Sequence, residues 1–152
     1  MTLFSMVGDD TFVINGRPVH PEFAEGDTVT IEFPNDLCTV TTGKDGNTIY
    51  AKNEAGSNFD CTFTVMRGGS VDKFLNGLLA QQNDDFVAFA TMEGAFTKRL
   101  GDGTGKVHYD TYVLRGMVFT KNVATKGNVS GDAEQGKTVY TLKGALAIRG
   151  IA

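Results

Sequence analysis

The sequence predicts a mainly β, antiparallel fold with a single helix, and three observations support this. Three long segments in the second half, residues 86–98, 107–121 and 137–149, alternate in side-chain character as strands do. The chain carries 19 glycines and 11 phenylalanines among its 152 residues, a composition that suits strands joined by turns. One segment, residues 71–82, has apolar residues at helical spacing.

The length of 152 residues predicts one domain that spans residues 1–152. A chain of this size buries enough surface to fold without a disulfide or a metal ion. Cys38 and Cys61 do not form a disulfide framework. Cys61 shares a predicted strand face with Phe59, Phe63 and Val65, so we expect it to be a small buried hydrophobic residue.

The charge argues against a nucleic-acid-binding protein. The formal net charge is −4, and no cluster of Lys and Arg provides the basic stripe that neutralises phosphates. An acidic surface repels DNA, which would suit a protein that lets DNA slide past. The N-terminus lacks a secretory signal, and no apolar stretch approaches the roughly 20 residues that span a bilayer. We therefore expect a protein made and folded in a cytoplasm, with no membrane partner.

The first elements are short strands joined by turns. Residues 11–15 form a predicted strand, and Asn15-Gly16 is a hairpin turn signal. A second turn is predicted at Glu25-Gly26-Asp27. Residues 28–33 form the next strand, which has the cleanest half-buried pattern in the chain. Its predicted apolar face consists of Val29, Ile31 and Phe33.

Residues 34–58 form a long, polar, turn-rich connection. Connections longer than about 12–15 residues are usually functional or disordered, and the apolar residues inside this one argue against disorder. These are Leu37, Val40, Ile49 and Tyr50. They indicate a loop that can include a short hairpin and that packs against another protein surface. Two interpretations remain open: the loop packs on its own domain, or it reaches a neighbouring subunit.

A strand and the helix follow. Residues 59–66 alternate as a strand, and residues 71–82 form the predicted helix. Ser70 is its predicted N-cap, and Asp72 in the first turn suits the helix dipole. The predicted apolar face consists of Val71, Phe74, Leu75, Leu78 and Leu79.

The three long strands carry apolar residues on both faces. In residues 107–121 one face contains Val113, Met117 and Phe119 and the other contains Leu114 and Val118. A small antiparallel sheet usually has one solvent-exposed face and one buried face. Its strands usually have about 5–6 residues, fewer than these. We therefore expect this sheet to be shared with further copies of the chain. Gly101–Gly105 is predicted to be a hairpin turn, and residues 121–136 a mobile loop.

One segment matches the consensus sequence of a phosphate-binding loop. Residues 131–138 fit G-x-x-x-x-G-K-[ST], but this chemistry needs a buried strand before the loop and a helix after it. Here a polar loop precedes the motif and a strand pattern follows it, while Asp132 and Glu134 would repel phosphate. A nucleotide-binding enzyme that uses Lys137 is therefore the least favoured hypothesis.

Other site chemistry lacks support in the sequence. His20 and His108 have no companions at metal-ligand spacing. The pairs Asp9-Asp10 and Asp84-Asp85 are expected to be solvated, and no serine lies in a G-x-S-x-G turn. We therefore predict no catalytic, cofactor-binding or metal-binding residue, no cofactor, and no enzyme.

Six segments together resemble the tail tube protein of contractile-tailed bacteriophages. No single segment is diagnostic, but their order and spacing together are specific, and the resemblance covers nearly the whole chain. They are VING (13–16), IEFPND (31–36), TGKDGNTIYA (42–51), DKFLNGLLAQQ (72–82), KRLGDG (98–103) and TYVLRGMVFTK (111–121).

The resemblance implies a β-sandwich or partly closed barrel with one flanking helix, related in fold to the type VI secretion tube protein. It implies a virion structural protein of the tail, in which homohexameric rings with a β-barrel bore stack into a tube. DNA passes through the lumen without specific binding. The implied partners are the tail sheath protein, the baseplate or tube initiator, and the tape measure protein. The alternative is a tube-initiating or tube-terminating ring, or a type VI secretion-like tube component of the same fold.

This assembly would use three parts of the chain. Ring-to-ring contacts are expected from residues 34–58 and the two chain ends, and ring closure from strand edges. A bore-lining face should be polar or acidic. The charged strand positions are Glu32, Glu93, Arg115 and Lys143, and the sequence does not decide which of them face the bore.

Overall fold

Two antiparallel sheets enclose one hydrophobic core, and one helix packs against it. The structure is a computed structural model that describes residues 3–24, 26, 28–127, 129–131 and 133–152, except for the side chain of Asp9. Glu25 and Asp27 of a predicted turn, and Asp132 of the phosphate-loop match, lie outside the described residues. The strands and helix are β1 (Ser5–Ile14), β2 (Arg17–Pro18), β3 (Val29–Glu32), β4 (Cys38–Thr42), β5 (Thr48–Lys52), β6 (Phe59–Met66), α1 (Ser70–Asp84), β7 (Met92–Gly101), β8 (Val107–Phe119), β9 (Lys137–Gly144) and β10 (Leu146–Ile151).

The two sheets share strand β8. Sheet I has the order β2-β1-β7-β8-β10, and sheet II has the order β3-β6-β9 followed by the end of β8. Strands β4 and β5 form a separate two-stranded hairpin. This mainly β sandwich with one flanking helix confirms the predicted fold class.

The core lies between the sheets and under α1. Phe12 of β1 contacts Phe63 of β6, with ring centroids 5.2 Å apart, and Phe63 stacks on Tyr140 of β9 at 5.7 Å. Cys61 is fully buried beside them, as predicted, and burial raises the pKa of its thiol to about 12. Aromatic rings thus tie sheet I to sheet II across the core.

The mixed apolar pattern of β8 has a different cause from the one predicted. Leu114 is buried, and so are Met117 and Phe119, so the buried face changes sides between residues 114 and 117. A β-bulge lies there: the register with β7 shifts between Met92 and Gly94, and Gly116 has φ +70°. Each sheet therefore has one buried face, and the strand carries apolar residues on both sides because it passes from sheet I to sheet II.

The predicted strand at residues 137–149 is also broken at this corner. It splits at Ala145 into β9 in sheet II and β10 in sheet I. A side chain at Gly116 would bring its Cβ within 3.1 Å of the Ala145 Cβ. The absence of a Cβ at Gly116 therefore lets the two bent strands approach each other.

Two further strand bounds were wrong. The predicted strand at residues 86–98 begins only at Met92, because Asp85 Oδ1 accepts the Ala88 N–H at 3.2 Å and residues 86–88 form a turn. In β3, Val29 and Ile31 are half-buried, but the strand ends at Glu32 and Phe33 is exposed. Phe33 therefore does not belong to the buried face.

The N-terminal hairpin confirms its turn signal but is longer than predicted. Asn15 and Gly16 both have positive φ, +50° and +79°, as a two-residue hairpin turn requires. Strand β1 begins at Ser5 rather than at residue 11, because it pairs with β7 as far as Gly101.

Helix α1 has the predicted apolar face but not the predicted cap. Val71, Leu75 and Leu79 are buried. Gly69, not Ser70, is the N-cap residue, and the carboxylate of Glu22 accepts the N–H groups of Ser70 at 3.3 Å and Val71 at 2.6 Å. The carboxylate of Glu22, which lies in a distant segment, therefore caps the helix in place of the side chain of Ser70. No helix in the described residues has the length and hydropathy needed to cross a bilayer.

Candidate assembly surfaces

The outer face of sheet I, opposite the core, is mostly uncharged. Pairing register aligns two adjacent rows across β1, β7, β8 and β10. These are Thr11, Thr97, Thr111 and Gly150 in one row, and Val13, Ala95, Val113 and Ile148 in the next. Val113 and Ile148 remain exposed although they are apolar. These two rows therefore contain only uncharged residues, most of them β-branched.

The four nominated charged positions divide between the two sheets. Glu93 and Arg115 lie on the outer face of sheet I and are exposed. Glu32 and Lys143 lie on the outer face of sheet II, in one register row with Asp60 between them. Lys143 Nζ is 3.5 Å from Asp60 Oδ1.

Strand β10 leaves one edge of sheet I open. Ala152 and Tyr109 exchange both backbone hydrogen bonds, at 2.9 and 3.1 Å. Because such pairs alternate along an antiparallel ladder, the N–H groups of Arg149 and Ile151 point away from β8. Among the described residues, no strand pairs with this outer edge.

Strand β1 leaves the opposite edge open over most of its length. The Phe12 N–H donates to His20 Nδ1 at 3.3 Å, and the Val19 N–H donates to the Phe12 carbonyl at 2.8 Å. These contacts and β2 cover the edge from Phe12 onward. In the described part of the chain, Ser5 to Thr11 pair only with β7.

An ion pair holds the open strand β10 to β8. The Arg149 guanidinium donates to both carboxylate oxygens of Asp110, at 2.9 and 2.8 Å, and lies 5.8 Å from the Tyr112 ring centroid. The hydrogen bond from Arg149 lowers the pKa of the Asp110 carboxyl. This bidentate contact fixes the position of the edge that a partner strand would meet.

The hairpin of β4 and β5, residues 38–52, is exposed along its whole length. Every residue of both strands is exposed, and the apolar residues Val40, Ile49 and Tyr50 are each more than half accessible. Its base is closed by the Asn53 N–H, which donates to the Leu37 carbonyl at 2.9 Å, and it meets the sandwich at Ser57, whose hydroxyl donates to the Ala145 carbonyl at 3.2 Å. The first interpretation of residues 34–58 therefore holds for the base alone.

A second exposed apolar surface is formed by residues 3–7, 99–101 and 107–109, which we call the tongue. It includes Leu3, Phe4, Met6 and Val7, which are each more than half exposed, together with Val107 and Tyr109. The turn at its tip is ordered by Asp102, which accepts the Thr104 hydroxyl at 2.6 Å and the Thr104 N–H at 2.8 Å. These bonds lower the pKa of Asp102 to about 2.

The structure gives the phosphate-loop match a different geometry from a nucleotide site. Residues Ala133–Gly136 form a short 3-10 turn, and a strand rather than a helix starts at Lys137. Lys137 Nζ donates to Glu134 Oε1 at 2.8 Å. In the described residues of this match, no helix of the kind that presents converging N–H groups to a phosphate begins.

The two histidines that were considered as metal ligands make separate contacts. His20 caps the edge of β1, and His108 Nε2 lies 3.5 Å from Asp102 Oδ2. Within the described residues, no three His, Cys, Asp or Glu side chains come together as a metal site.

Sequence reasoning missed two residues that hold the fold. Gln82 is buried; its amide Nε2 donates to the Phe119 carbonyl at 2.7 Å, and its Oε1 accepts the Phe119 N–H at 2.9 Å. It lies three residues after Leu79 on the apolar stripe of α1, and a polar residue on that stripe was the available signal. Glu22 is the other, and nothing in its local sequence indicates its role as a helix cap.

Comparisons with known proteins place this fold among tube-like chains. No family model matches the chain, and no curated protein matches it. Among solved structures, it is similar to a chain of the PVC sheath-tube complex in the extended state, with a TM-score of 0.63, 8% identity, and coverage of 94% of this chain and 88% of that one. It is also similar to the tube-terminating cap of the anti-feeding prophage, with a TM-score of 0.60, 10% identity, and coverage of 94% and 88%.

A third likeness is to a chain of the PVC sheath/tube terminator in the extended state. Its TM-score is 0.56 at 11% identity, and coverage is 95% of this chain and 94% of that one. PVC is described as an extracellular contractile injection system. At these identities the likenesses establish the fold alone: the chain has a tube-like β-sandwich similar to that of these three chains.

Proposed function

We propose that this chain is the structural subunit of a bacteriophage tail tube and that it has no enzymatic role. Its copies would join edge to edge into closed homohexameric rings, with a β-barrel bore through which DNA passes. The observation that carries the proposal is the pair of open edges on sheet I, β1 on one side and β10 on the other. Open edges attract further strands, and closure into a barrel removes them.

Strand directions support closure between identical copies. Every pair in the order β1-β7-β8-β10 is antiparallel. Since four strands alternate in direction, β10 of one copy would meet β1 of the next in antiparallel pairing, whatever the number of copies. Six copies would give a barrel of about 24 strands, which at ~4.8 Å spacing and ~40° tilt is about 45–50 Å across at the backbone.

In such a ring the outer face of sheet I would line the bore, and sheet II with α1 would form the outer layer. The bore would then carry the threonine and valine rows together with Glu93, Arg99 and Arg115, so among the described side chains it would be mostly uncharged rather than acidic as expected. The outer layer would meet the sheath protein. The tube initiator or baseplate and the tape measure protein complete the set of partners, and the virion tail is the proposed location.

A tube-terminating ring is the second candidate. It is favoured by the likeness to the anti-feeding prophage cap and to a chain of the PVC terminator assembly. A terminating ring would form one closed ring and stop, whereas a tube subunit would add rings without limit.

Electron microscopy with light scattering over a concentration series tests both candidates. The tube subunit should give tubes whose mean mass rises with concentration. The terminating ring should give one ring of fixed mass. Monodisperse monomers at every salt and protein concentration would contradict both.

A further inference from the structure

Four charged residues form a continuous ionic row across sheet I. Register aligns Asp10 of β1 with Lys98 of β7, and Lys98 with Asp110 of β8. Lys98 Nζ lies 3.0 Å from Asp10 Oδ1. Arg149 of β10 supplies the fourth charge through its two hydrogen bonds to Asp110. The signs along the row therefore alternate, from a carboxylate at the edge of β1 to a guanidinium at the edge of β10.

Both ends of this row have unused hydrogen-bonding capacity. Arg149 donates to Asp110 from Nε and Nη2, and its Nη1 has no partner among the described residues. Asp10 accepts from Lys98 at Oδ1, while its Oδ2 has no partner in the same part of the chain. Both side chains remain partly exposed. One end of the row thus offers donors and the other end offers an acceptor.

The position of Arg149 suits a second carboxylate beyond the edge of the sheet. Arg149 lies diagonally from Asp110, because Asp110 pairs with Ile151, two residues further along β10. The same row aligns Ile151 with Asp10. If the row continues into a next copy, Arg149 lies in the matching diagonal position to the Asp10 of that copy. Diagonal neighbours are about 7–8 Å apart, within reach of long side chains.

The free part of the β1 edge begins beside Asp10. His20 Nδ1 accepts the outward Phe12 N–H at 3.3 Å. Because backbone N–H groups alternate in direction along a strand, the N–H of Asp10 is the next one that points outward. A neighbouring β10 strand that uses this donor would place its own charged residue close to the Asp10 carboxylate.

We infer that Arg149 of one copy and Asp10 of the next form an ion pair that selects which two edges join. This inference rests on the proposed function and names residues that determine the specificity of its ring contact. Two β1 edges would bring Asp10 close to a second Asp10, and two β10 edges would bring Arg149 close to a second Arg149. Only β10 against β1 pairs opposite charges. Like edges would give a dimer that closes on itself, whereas unlike edges give a ring.

A double-mutant cycle on ring formation tests this contact. The variants are Asp10→Asn, Arg149→Gln and the two combined. Each single change should raise the protein concentration at which half of the chains are in rings by at least about tenfold, because every contact around the ring is weakened. The combined change should add little to either one, because both remove the same pair. Analytical ultracentrifugation over a concentration series measures this concentration.

Thermal melts below the ring-forming concentration separate this contact from folding. Within one chain the two side chains belong to strands three spacings apart, about 14 Å at ~4.8 Å per spacing, so their effects on the melting temperature should add. Lys143→Gln removes a cation from sheet II and is the matched control for Arg149→Gln. Its effect on ring formation should add to that of Asp10→Asn.

The cycle distinguishes this inference from the proposed function. Effects of Asp10→Asn and Arg149→Gln that add fully in ring formation would overturn the ion pair while leaving the rings intact. An equal departure from additivity with Lys143→Gln would overturn it too, since the coupling would not then belong to this pair. If the unchanged chain formed no rings at all, the proposed function would fail together with the ion pair.

Discussion

At the scale of single residues, Gln82 joins the helix to the end of β8. Its side chain satisfies both the N–H and the carbonyl of Phe119 in the buried interior. Gln82→Leu leaves both backbone groups without these partners, and each buried unsatisfied group costs roughly 1–3 kcal/mol. We expect a loss of at least about 2 kcal/mol in the free energy of unfolding, measured by urea denaturation. Gln81→Leu is the matched control, since Gln81 is exposed one position earlier; an equal loss in both variants would contradict this role.

Gly116 allows the corner at which β8 changes sheets. Its φ of +70° disfavours any other residue, and an added Cβ would lie 3.1 Å from the Ala145 Cβ. Gly116→Ala should therefore destabilise the fold by about 2 kcal/mol. Gly77→Ala, in an exposed part of α1 with no atom within 4 Å of the new Cβ, should instead stabilise it by about 1 kcal/mol. Thermal melts of both variants give the sign, and a neutral Gly116→Ala would show that the corner tolerates a side chain.

These residues show where sequence reasoning stops. The burial of Cys61 and the Asn15-Gly16 turn were predictable, because each depends on the pattern of its own neighbours. The bulge at Gly116 was not, since glycine in an alternating strand is compatible with several conformations. The position of Gln82 on the apolar stripe of α1 was a signal of its burial, but its partner was not predictable, because Phe119 is 37 residues away.

At the scale of elements, the start of α1 depends on a carboxylate from another segment. The Val71 N–H bond to Glu22 lowers the pKa of that carboxyl from its ordinary value of 4.5. Because the folded state favours the ionised form, this contribution is fully present above about pH 4.5 and is lost as the pH falls through the lowered folded value.

Glu22→Gln should therefore lower the melting temperature at neutral pH, and the difference from the unchanged chain should shrink below pH 4.5. Melting curves between pH 3 and pH 7 measure this difference. Glu93→Gln, at an exposed strand position, is the control and should show no comparable change. A difference for Glu22→Gln that is constant across this range would indicate a packing effect rather than a charged cap.

The type of most elements, strand or helix, was predictable from the sequence. The predicted first or last residue of an element was wrong where tertiary contacts rather than the local pattern decide it. Strand β6 was predicted with its exact residues because it alternates cleanly and pairs on both sides. Strand β1 was predicted too short, since Ser5 to Asp10 carry little apolar signal and are strands only through β7. The exposed hairpin shows the converse: the turn-rich segment 34–58 left room for a short hairpin, but no sequence pattern could say that the domain leaves it unpacked.

At the scale of the whole molecule, the proposed ring closure would use the outer edge of β10, and one backbone N–H on that edge can be removed selectively. The alternation set by Ala152 and Tyr109 directs the Ile151 N–H outward, so Ile151→Pro removes a donor to a neighbouring copy but no hydrogen bond within the chain. We expect this variant to keep its circular dichroism spectrum and to sediment as a 16.3 kDa monomer under conditions in which the unchanged chain forms rings. Ile151→Ala keeps the N–H and should still assemble, which separates loss of the donor from loss of the side chain. Rings from Ile151→Pro would mean that β10 does not join copies through its backbone, and closure would then have to use a different edge of the sandwich.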